Sequence, residues 1–284
     1  MAEKRITVPA FAKVNLTLEV LGCRTDGYHA LRSIVQQISL FDTVTVSIAK
    51  GFHSNSEFKY DLALKAAQTL ANVAGINEGV SIEIVKRIPV GGGLGGGSAD
   101  AAATLLALND LWEIGWSREK LAAIAAQIGS DVPALVLGGT VLMQGRGEIV
   151  SPLFDQRTQL KEFYLVLINP GVFCSTKEVY LKCNSRLQED PRILYNMSSA
   201  LQNGDEKRIA SAMMNDLQIS AVKLHPEITA ALKALEERGT LGAMMSGSGS
   251  TVFGLVSNEA EGRKIADEMR KRGFWAECVH TIVR

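Results

Sequence analysis

The stretch that most constrains this chain is Pro89–Leu111, PVGGGLGGGSADAAATLLALNDL, in which six of the seven residues Gly91–Gly97 are glycine. Glycine costs backbone entropy, so six together imply a backbone that must go where a Cβ cannot. Strong helix formers follow at once. Ser98 is the expected N-cap of that helix, with Asp100 in its first turn, where the dipole favours negative charge. The simplest need that joins such a loop to such a helix is an anion held against bare N–H groups at a helix N-terminus. A flexible linker needs no helix directly behind it.

The loop is not a Walker loop, because Gly97 is followed by Ser98-Ala99 where Lys and then Ser or Thr are required. Gly91, Gly93 and Gly96 fit GxGxxG, but the dinucleotide motif needs a strand running straight into the loop and a second parallel strand after the helix. Here Lys86–Pro89 separate the apolar strand Val80–Val85 from the glycines, and a second helical pattern, Arg118–Ile128, follows the first. The context excludes the dinucleotide reading and leaves a nucleotide-phosphate loop of another lineage.

A chain of 284 residues suits two ordinary domains or one large one. Lys+Arg and Asp+Glu both number 30, so no overall field argues for nucleic acid or membrane partners. Met1–Arg5 does not read as a signal peptide, and no apolar run is long enough to span a bilayer, so a cytoplasmic protein is expected. The four cysteines form no CxxC and the four histidines are scattered, which favours reduced thiols over disulfides or a zinc site.

Ala12–Val20 alternates apolar and polar residues and reads as a half-buried strand whose polar face presents Lys13 and Asn15. A solvated face is the ordinary fate of such a pair. Thr25-Asp26-Gly27 signals a turn before Tyr28-His29. Strands are expected at Ile34–Leu40 and Val44–Ile48, a loop over Gly51–Tyr60, and a helix over Leu62–Val73. Ser117 caps the second helical pattern, which Gly129 ends. Ser130-Asp131-Val132-Pro133 opens a short helix, with Asp131 readable as a plain N-cap. The later half holds a strand at Phe163–Ile168, helices at Thr176–Lys182, Asp205–Met214, Glu227–Arg238 and Ala260–Arg272, and strands at Ala243–Met245, Thr251–Val256 and Trp275–Val283. Strands and helices mix without strict alternation, so the fold class is α+β.

Three separated segments together resemble one family. AKVNLTLEVLGCRTDGYH (12–29), PVGGGLGGGSADAAATL (89–105) and MSGSGSTVF (245–253) look like the three motifs of the GHMP small-molecule kinases, in the same order along nearly the whole chain. SDVPALVLGG (130–139), NPGV (169–172) and MNDLQ (214–218) support the match. The resemblance implies a two-domain architecture, divided at 155/156. The N-terminal domain is like the second domain of a small-subunit ribosomal protein, and the C-terminal domain is ferredoxin-like. It implies transfer of the γ-phosphate of ATP, with Mg²⁺, to a hydroxyl of a cytidine-diphosphate sugar alcohol in isoprenoid precursor synthesis.

By position, Asp131 falls on the family's catalytic base and Lys13 on its catalytic lysine. Pro89, Gly91, Gly92, Gly93, Leu94, Gly95, Gly96, Gly97, Ser98 and Ala99 fall on ATP-binding positions, with Gly93–Ser98 matching the phosphate loop. Asn15, Tyr28 and His29 fall where the cytidine diphosphate end is bound, and Tyr180 near a second aromatic that stacks on cytosine. Asp61 stands where the family often has asparagine near the adenosine pocket, and the segment before it is shorter than usual. No carboxylate suggests itself as a Mg²⁺ ligand. A homoserine- or mevalonate-type kinase of the same family and a catalytically silent nucleotide sensor are the alternatives. Thr25–His29 argues against the first, and the presence of both Lys13 and Asp131 argues against the second.

Overall fold

The computed structural model describes residues 4–23, 27, 29–57, 60–155, 157–183 and 188–283. The N-terminal half builds one mixed sheet from β1 (Arg5–Cys23), β2 (His29–Ala49), β3 (Phe52–Ser54), β4 (Gly79–Val85), β5 (Thr140–Gly145) and β6 (Ile149–Pro152). Helices α1 (Leu62–Ala74), α2 (Gly96–Leu111), α3 (Arg118–Ala125) and α4 (Val132–Leu137) complete that half. The long strand β2 carries different partners on its two halves: Leu31–Gln36 pair with β5, and Thr43–Ala49 pair with β4. The alternating pattern thus reads correctly as strand, but the two separate strands expected at 34–48 are one.

The second half contains β7 (Tyr164–Asn169), α5 (Thr176–Leu181), α6 (Pro191–Asn203), α7 (Glu206–Ala212), β8 (Met214–Asn215), α8 (Gln218–Leu224), α9 (Glu227–Glu236), β9 (Gly242–Met245), β10 (Val252–Val256), α10 (Glu259–Lys271) and β11 (Trp275–His280). Its antiparallel sheet runs β11-β7-β10-β9, which with the intervening helices is the ferredoxin-like β-α-β-β-α-β order. β8 leaves that sheet and pairs in parallel with β1 at Thr17 and Leu18. The two halves are therefore joined by backbone as well as by side chains.

Several expectations are corrected. β1 is not half-buried: Lys13, Asn15, Thr17 and Glu19 are all within 3% of full burial, because the glycine loop meets Lys13, and Arg32 and the backbone of Asp190 meet Glu19. The strand is also irregular, with register shifts between Phe11 and Lys13 and between Asn15 and Thr17, where bulges re-aim side chains. The loop expected over Gly51–Tyr60 contains β3. The helix α3 stops at Ala125, since Gln127 and Ile128 donate to carbonyls three residues back and tighten the last turn. Helices α6 and α8 are not among those expected, although α6 carries the ordinary signals of one, an Asp190 N-cap with Pro191 behind it and a left-handed Gly204 at its end.

The central helix α2 buries 11 of its 16 residues, five of them alanine, which lets the sheet, α1 and α4 approach it closely. Ser98 does not cap it. Gly95, at φ 72, is the N-cap, so Ser98 is the third helical residue and Asp100 lies beyond the first turn. Asp100 instead meets Lys86 at 2.6 Å, and Lys86 also bonds the fully buried Asp42. Asp42 accepts from the backbone N–H groups of Arg87 and Ile88, so one lysine ties β2, the β4–α2 connection and α2 together.

Burial works against the Lys86 charge, but the two carboxylates outweigh it and raise its pKa. Asp100 is pushed up to about 7, chiefly by burial, with Lys86 opposing and the Asp42 charge adding to the rise. Its Oδ1 is buried with no hydrogen-bond partner among the described residues. Between pH 4 and 7 the native state holds this proton and the unfolded chain does not, so Asp100 lowers stability as pH rises through that window. Urea melts of Asp100→Asn and wild type are expected to show the variant gaining at least ~1 kcal/mol relative to wild type between pH 5 and 8. A difference that does not move with pH contradicts this assignment.

Candidate active site

A cleft of about 1580 Å³ lies where the glycine loop, β1, the start of α4 and the first helix of the C-terminal half converge. Its electrostatic centre is Lys13. The ammonium is buried and donates to Asn15 Oδ1 at 2.7 Å and to the carbonyl of Gly93 at 2.9 Å, with Asp131 Oδ2 at 3.7 Å. Burial lowers the Lys13 pKa, and the Asp131 charge and hydrogen bond oppose that shift. Asn15 is itself fixed, donating to Ser33 Oγ at 2.8 Å. The backbone N–H of Lys13 also donates to Leu94 O at 3.1 Å, which clamps the glycine loop onto β1.

Asp131 occupies the residue before α4, yet its side chain makes no capping hydrogen bond. The plain N-cap reading is therefore replaced by a carboxylate that faces the lysine with a third of its surface exposed. Tyr180, on α5, closes the same end of the cleft, and burial followed by the nearness of Asp131 raises the pKa of its hydroxyl. The rings of His29 and Tyr180 stand 5.5 Å apart at 38°. Tyr28 lies outside the described residues.

The glycines do two kinds of work. A Cβ on Gly93 would lie 2.2 Å from Ser246 O, and one on Gly92 would lie 2.7 Å from Thr251 Oγ1. These positions are glycine because the C-terminal loop 246–251 packs against them: Ser246 Oγ donates to Gly93 O at 3.0 Å and Thr251 N to Gly92 O at 3.1 Å. Gly96 and Gly97, by contrast, open α2 at the cleft, and their N–H groups and that of Ser98 precede the first intrahelical bond, Ala99 N to Gly95 O.

The cleft thus gathers Lys13, Asn15, His29, Asp131, Tyr180, Pro89 and most of the loop. Leu94 and Ala99 turn their side chains into the core. Sequence reasoning missed Arg146, Thr176 and Lys177, which also line it. Arg146 follows a glycine in a short turn, and nothing in its sequence neighbourhood marks it.

The chain as a whole is matched by known proteins. The model of the GHMP kinase N-terminal domain matches residues 61–139, and that of the GHMP kinase C-terminal domain matches 197–274. A 4-diphosphocytidyl-2-C-methyl-D-erythritol kinase of Pelotomaculum thermopropionicum is 41% identical over 274 residues, 94% of each chain. A crystal structure of 4-(cytidine 5'-diphospho)-2C-methyl-D-erythritol kinase superposes with a TM-score of 0.81 at 33% identity, covering 97% of this chain and 99% of that one. A homoserine kinase from Cytophaga hutchinsonii, at 19% identity and a TM-score of 0.76, shares the fold alone. The chain belongs to the GHMP kinases, enzymes that take ATP as co-substrate, and within them to the 4-diphosphocytidyl-2-C-methyl-D-erythritol kinase family.

Gly95 sits at φ 72, and a Cβ there would approach Lys13 Cε at 3.2 Å and Cγ at 3.3 Å. Gly95→Val combines a disfavoured backbone with a clash against the lysine stem. Calorimetric titration is expected to show ATP affinity reduced at least ~10-fold with the fold retained by circular dichroism, a loss of about 1.4 kcal/mol. Unchanged affinity refutes the role given to this turn.

Proposed function

We propose that this chain transfers the γ-phosphate of ATP to the 2-hydroxyl of 4-diphosphocytidyl-2-C-methyl-D-erythritol, in isoprenoid precursor synthesis in the cytoplasm. The observation that carries this reading is the Lys13–Asp131 pair, 3.7 Å apart, at the foot of the glycine-loop helix and on the same cleft as the His29 and Tyr180 rings. The family's named activity supplies the substrate. No helix among the described residues is long and apolar enough to cross a membrane.

On this reading the N–H groups opening α2 receive the ATP phosphates, as the positive end of a 16-residue helix favours. Asp131 accepts the proton of the substrate hydroxyl, and Lys13 steadies both that carboxylate and the charge on the transferring phosphoryl group. Phosphoryl transfer depends mainly on such positioning and charge stabilisation. Asn15, bound to Lys13, orders the substrate side of the pair. Tyr28, His29 and Tyr180 take the cytosine, by stacking and by hydrogen bonds to its edge. We place the division between the nucleotide-binding and substrate-binding halves at 155/156.

Mg²⁺ fits this site as a passenger of the nucleotide. Among the described residues no three acidic, histidine or cysteine side chains cluster to hold an ion. Mg²⁺ commonly keeps one or two carboxylates and relies on substrate phosphates, and Asp131 is the carboxylate beside Lys13 in the cleft. When bound it would neutralise charge on the β- and γ-phosphates.

The test is ADP release with the cytidyl substrate against homoserine and mevalonate. Turnover confined to the cytidyl substrate is expected, and equal or better turnover of either alcohol refutes the substrate assignment. In the same assay Asp131→Asn is expected to lower kcat at least ~10²-fold with little change in Tm. A kcat that holds while stability falls would return Asp131 to a structural role.

Base recognition yields a second expectation. Stacking on an aromatic is worth ~1–3 kcal/mol, so Tyr180→Ala is expected to raise KM for the cytidyl substrate roughly 5- to 150-fold. Stacking does not tell pyrimidines apart, because every base has a π-face. A mismatched edge leaves buried polar groups unpaired at ~1–3 kcal/mol each. His29→Ala should therefore narrow the cytidine-to-uridine ratio of kcat/KM more than Tyr180→Ala does. A ratio that neither substitution moves places base selection elsewhere.

A further inference from the structure

The start of α2 carries a buried charge cluster that the Lys13–Asp131 chemistry does not use. Asp100 stands one turn above Gly96, and helical side chains lean toward the N-terminus, so its carboxylate lies beside the N–H groups that open α2. Lys86 Nζ marks how near: it bonds Asp100 Oδ2 at 2.6 Å and lies 3.4 Å from where a Cβ on Gly96 would be. Lys86, Gly96, Gly97, Ser98 and Asp100 all line the cleft.

The cluster does not balance. Lys86 brings one positive charge to two carboxylates, Asp42 and Asp100, so the trio is net negative when both acids are ionised. Asp42 is the better held, because it also accepts from the backbone N–H groups of Arg87 and Ile88. Asp100 is 5% exposed, bonds Lys86 through Oδ2, and keeps Oδ1 buried without a hydrogen-bond partner among the described residues. The excess charge therefore falls on Asp100, whose pKa is already pushed up to about 7.

The other charged groups on elements around α2 are engaged elsewhere. On α1, Asp61 caps its own helix and Lys65 donates to the carbonyls of Gln127 and Ile128. On β1, Lys13 is turned toward Asn15, the Gly93 carbonyl and Asp131. On α3, Arg118 donates to Val136 O.

A polyanion arriving at the N–H groups of Gly96–Ser98 thus meets a buried carboxylate directly behind them. On the reading that the ATP phosphates bind there, we infer that Asp100 takes up a proton as the nucleotide binds, so that ATP affinity falls as pH rises through neutrality. The sign follows from charge: added negative charge nearby favours the neutral form of an acid. Ligand and proton then bind together, and by linkage the removal of one weakens the other.

The test is titration calorimetry of the full-length protein with ATP and Mg²⁺, no acceptor present, in buffers of different ionisation heat, for wild type and Asp100→Asn. ATP exchanges protons of its own, and the difference between the two proteins removes that contribution. At pH 7 wild type is expected to take up about 0.3–0.5 proton more than the variant. Between pH 6 and 8.5 the wild-type Kd should rise at least roughly 3-fold relative to that of the variant. Equal proton counts, extra release by wild type, or a Kd ratio that is flat in pH would each overturn the inference. A merely structural Asp100 would change Tm and move neither quantity. Failure of both proteins to bind ATP is a different result, which removes the nucleotide reading on which this inference rests.

Discussion

The arrangement of the cleft depends on burying one ammonium group. Taking a lysine charge out of water costs several kcal/mol unless hydrogen bonds and a counter-charge replace its hydration. Lys13 finds those replacements on three different elements: Asn15 on β1, the Gly93 carbonyl on the glycine loop, and Asp131 before α4. Each partner is thus held in place by the same charge it satisfies. The register shifts of β1 fall on either side of this pair, while Lys13 and Asn15 themselves stay in regular register and so on one face, where they bond each other.

The glycine loop is a second convergence point. Gly93 O accepts from Lys13 and from Ser246, and Gly92 O accepts from Thr251 N, so the loop is fixed from the N-terminal side by a charge and from the C-terminal side by a packed turn. Asn169 supports that turn by donating to Thr251 Oγ1 at 2.9 Å, and Asn215 does so by donating to the Met245 and Gly247 carbonyls. Half of the glycine run therefore serves contact between the two halves of the chain. The other half leaves the start of α2 bare. A single function for all six glycines would have been too simple a reading.

What the sequence made legible was local. Alternation placed β1, the strand patterns found both parts of β2 and the alanine run placed α2, while α1 ends at Gly75 in the left-handed conformation. What it could not show was which face another segment covers. Lys13 and Asn15 sit on a polar face that looks solvated until the glycine loop is folded over it. Ser98 looks like a cap because glycine is read as a breaker, whereas here Gly96 and Gly97 are the first residues of the helix. The Lys86–Asp42–Asp100 cluster joins residues 14 to 58 positions apart, and spacing carries no trace of it.

Asp131 shows how a local rule is set aside where a side chain is wanted elsewhere. Asp61 and Ser117 cap their helices in the same half of the chain, so capping is readily available to this fold. The helix after Asp131 begins with Val132 and Pro133, and proline brings no N–H to satisfy. That removes one of the donors a cap would serve, and forgoing the cap costs about 1 kcal/mol or less. The carboxylate is left without a bond to its own helix and stands 3.7 Å from a buried ammonium, on the open side of a cleft. A group so placed is oriented by charge and still free to accept a proton from an incoming hydroxyl. For a reaction whose transition state spreads charge over phosphoryl oxygens, orientation of that kind is most of what a protein has to supply.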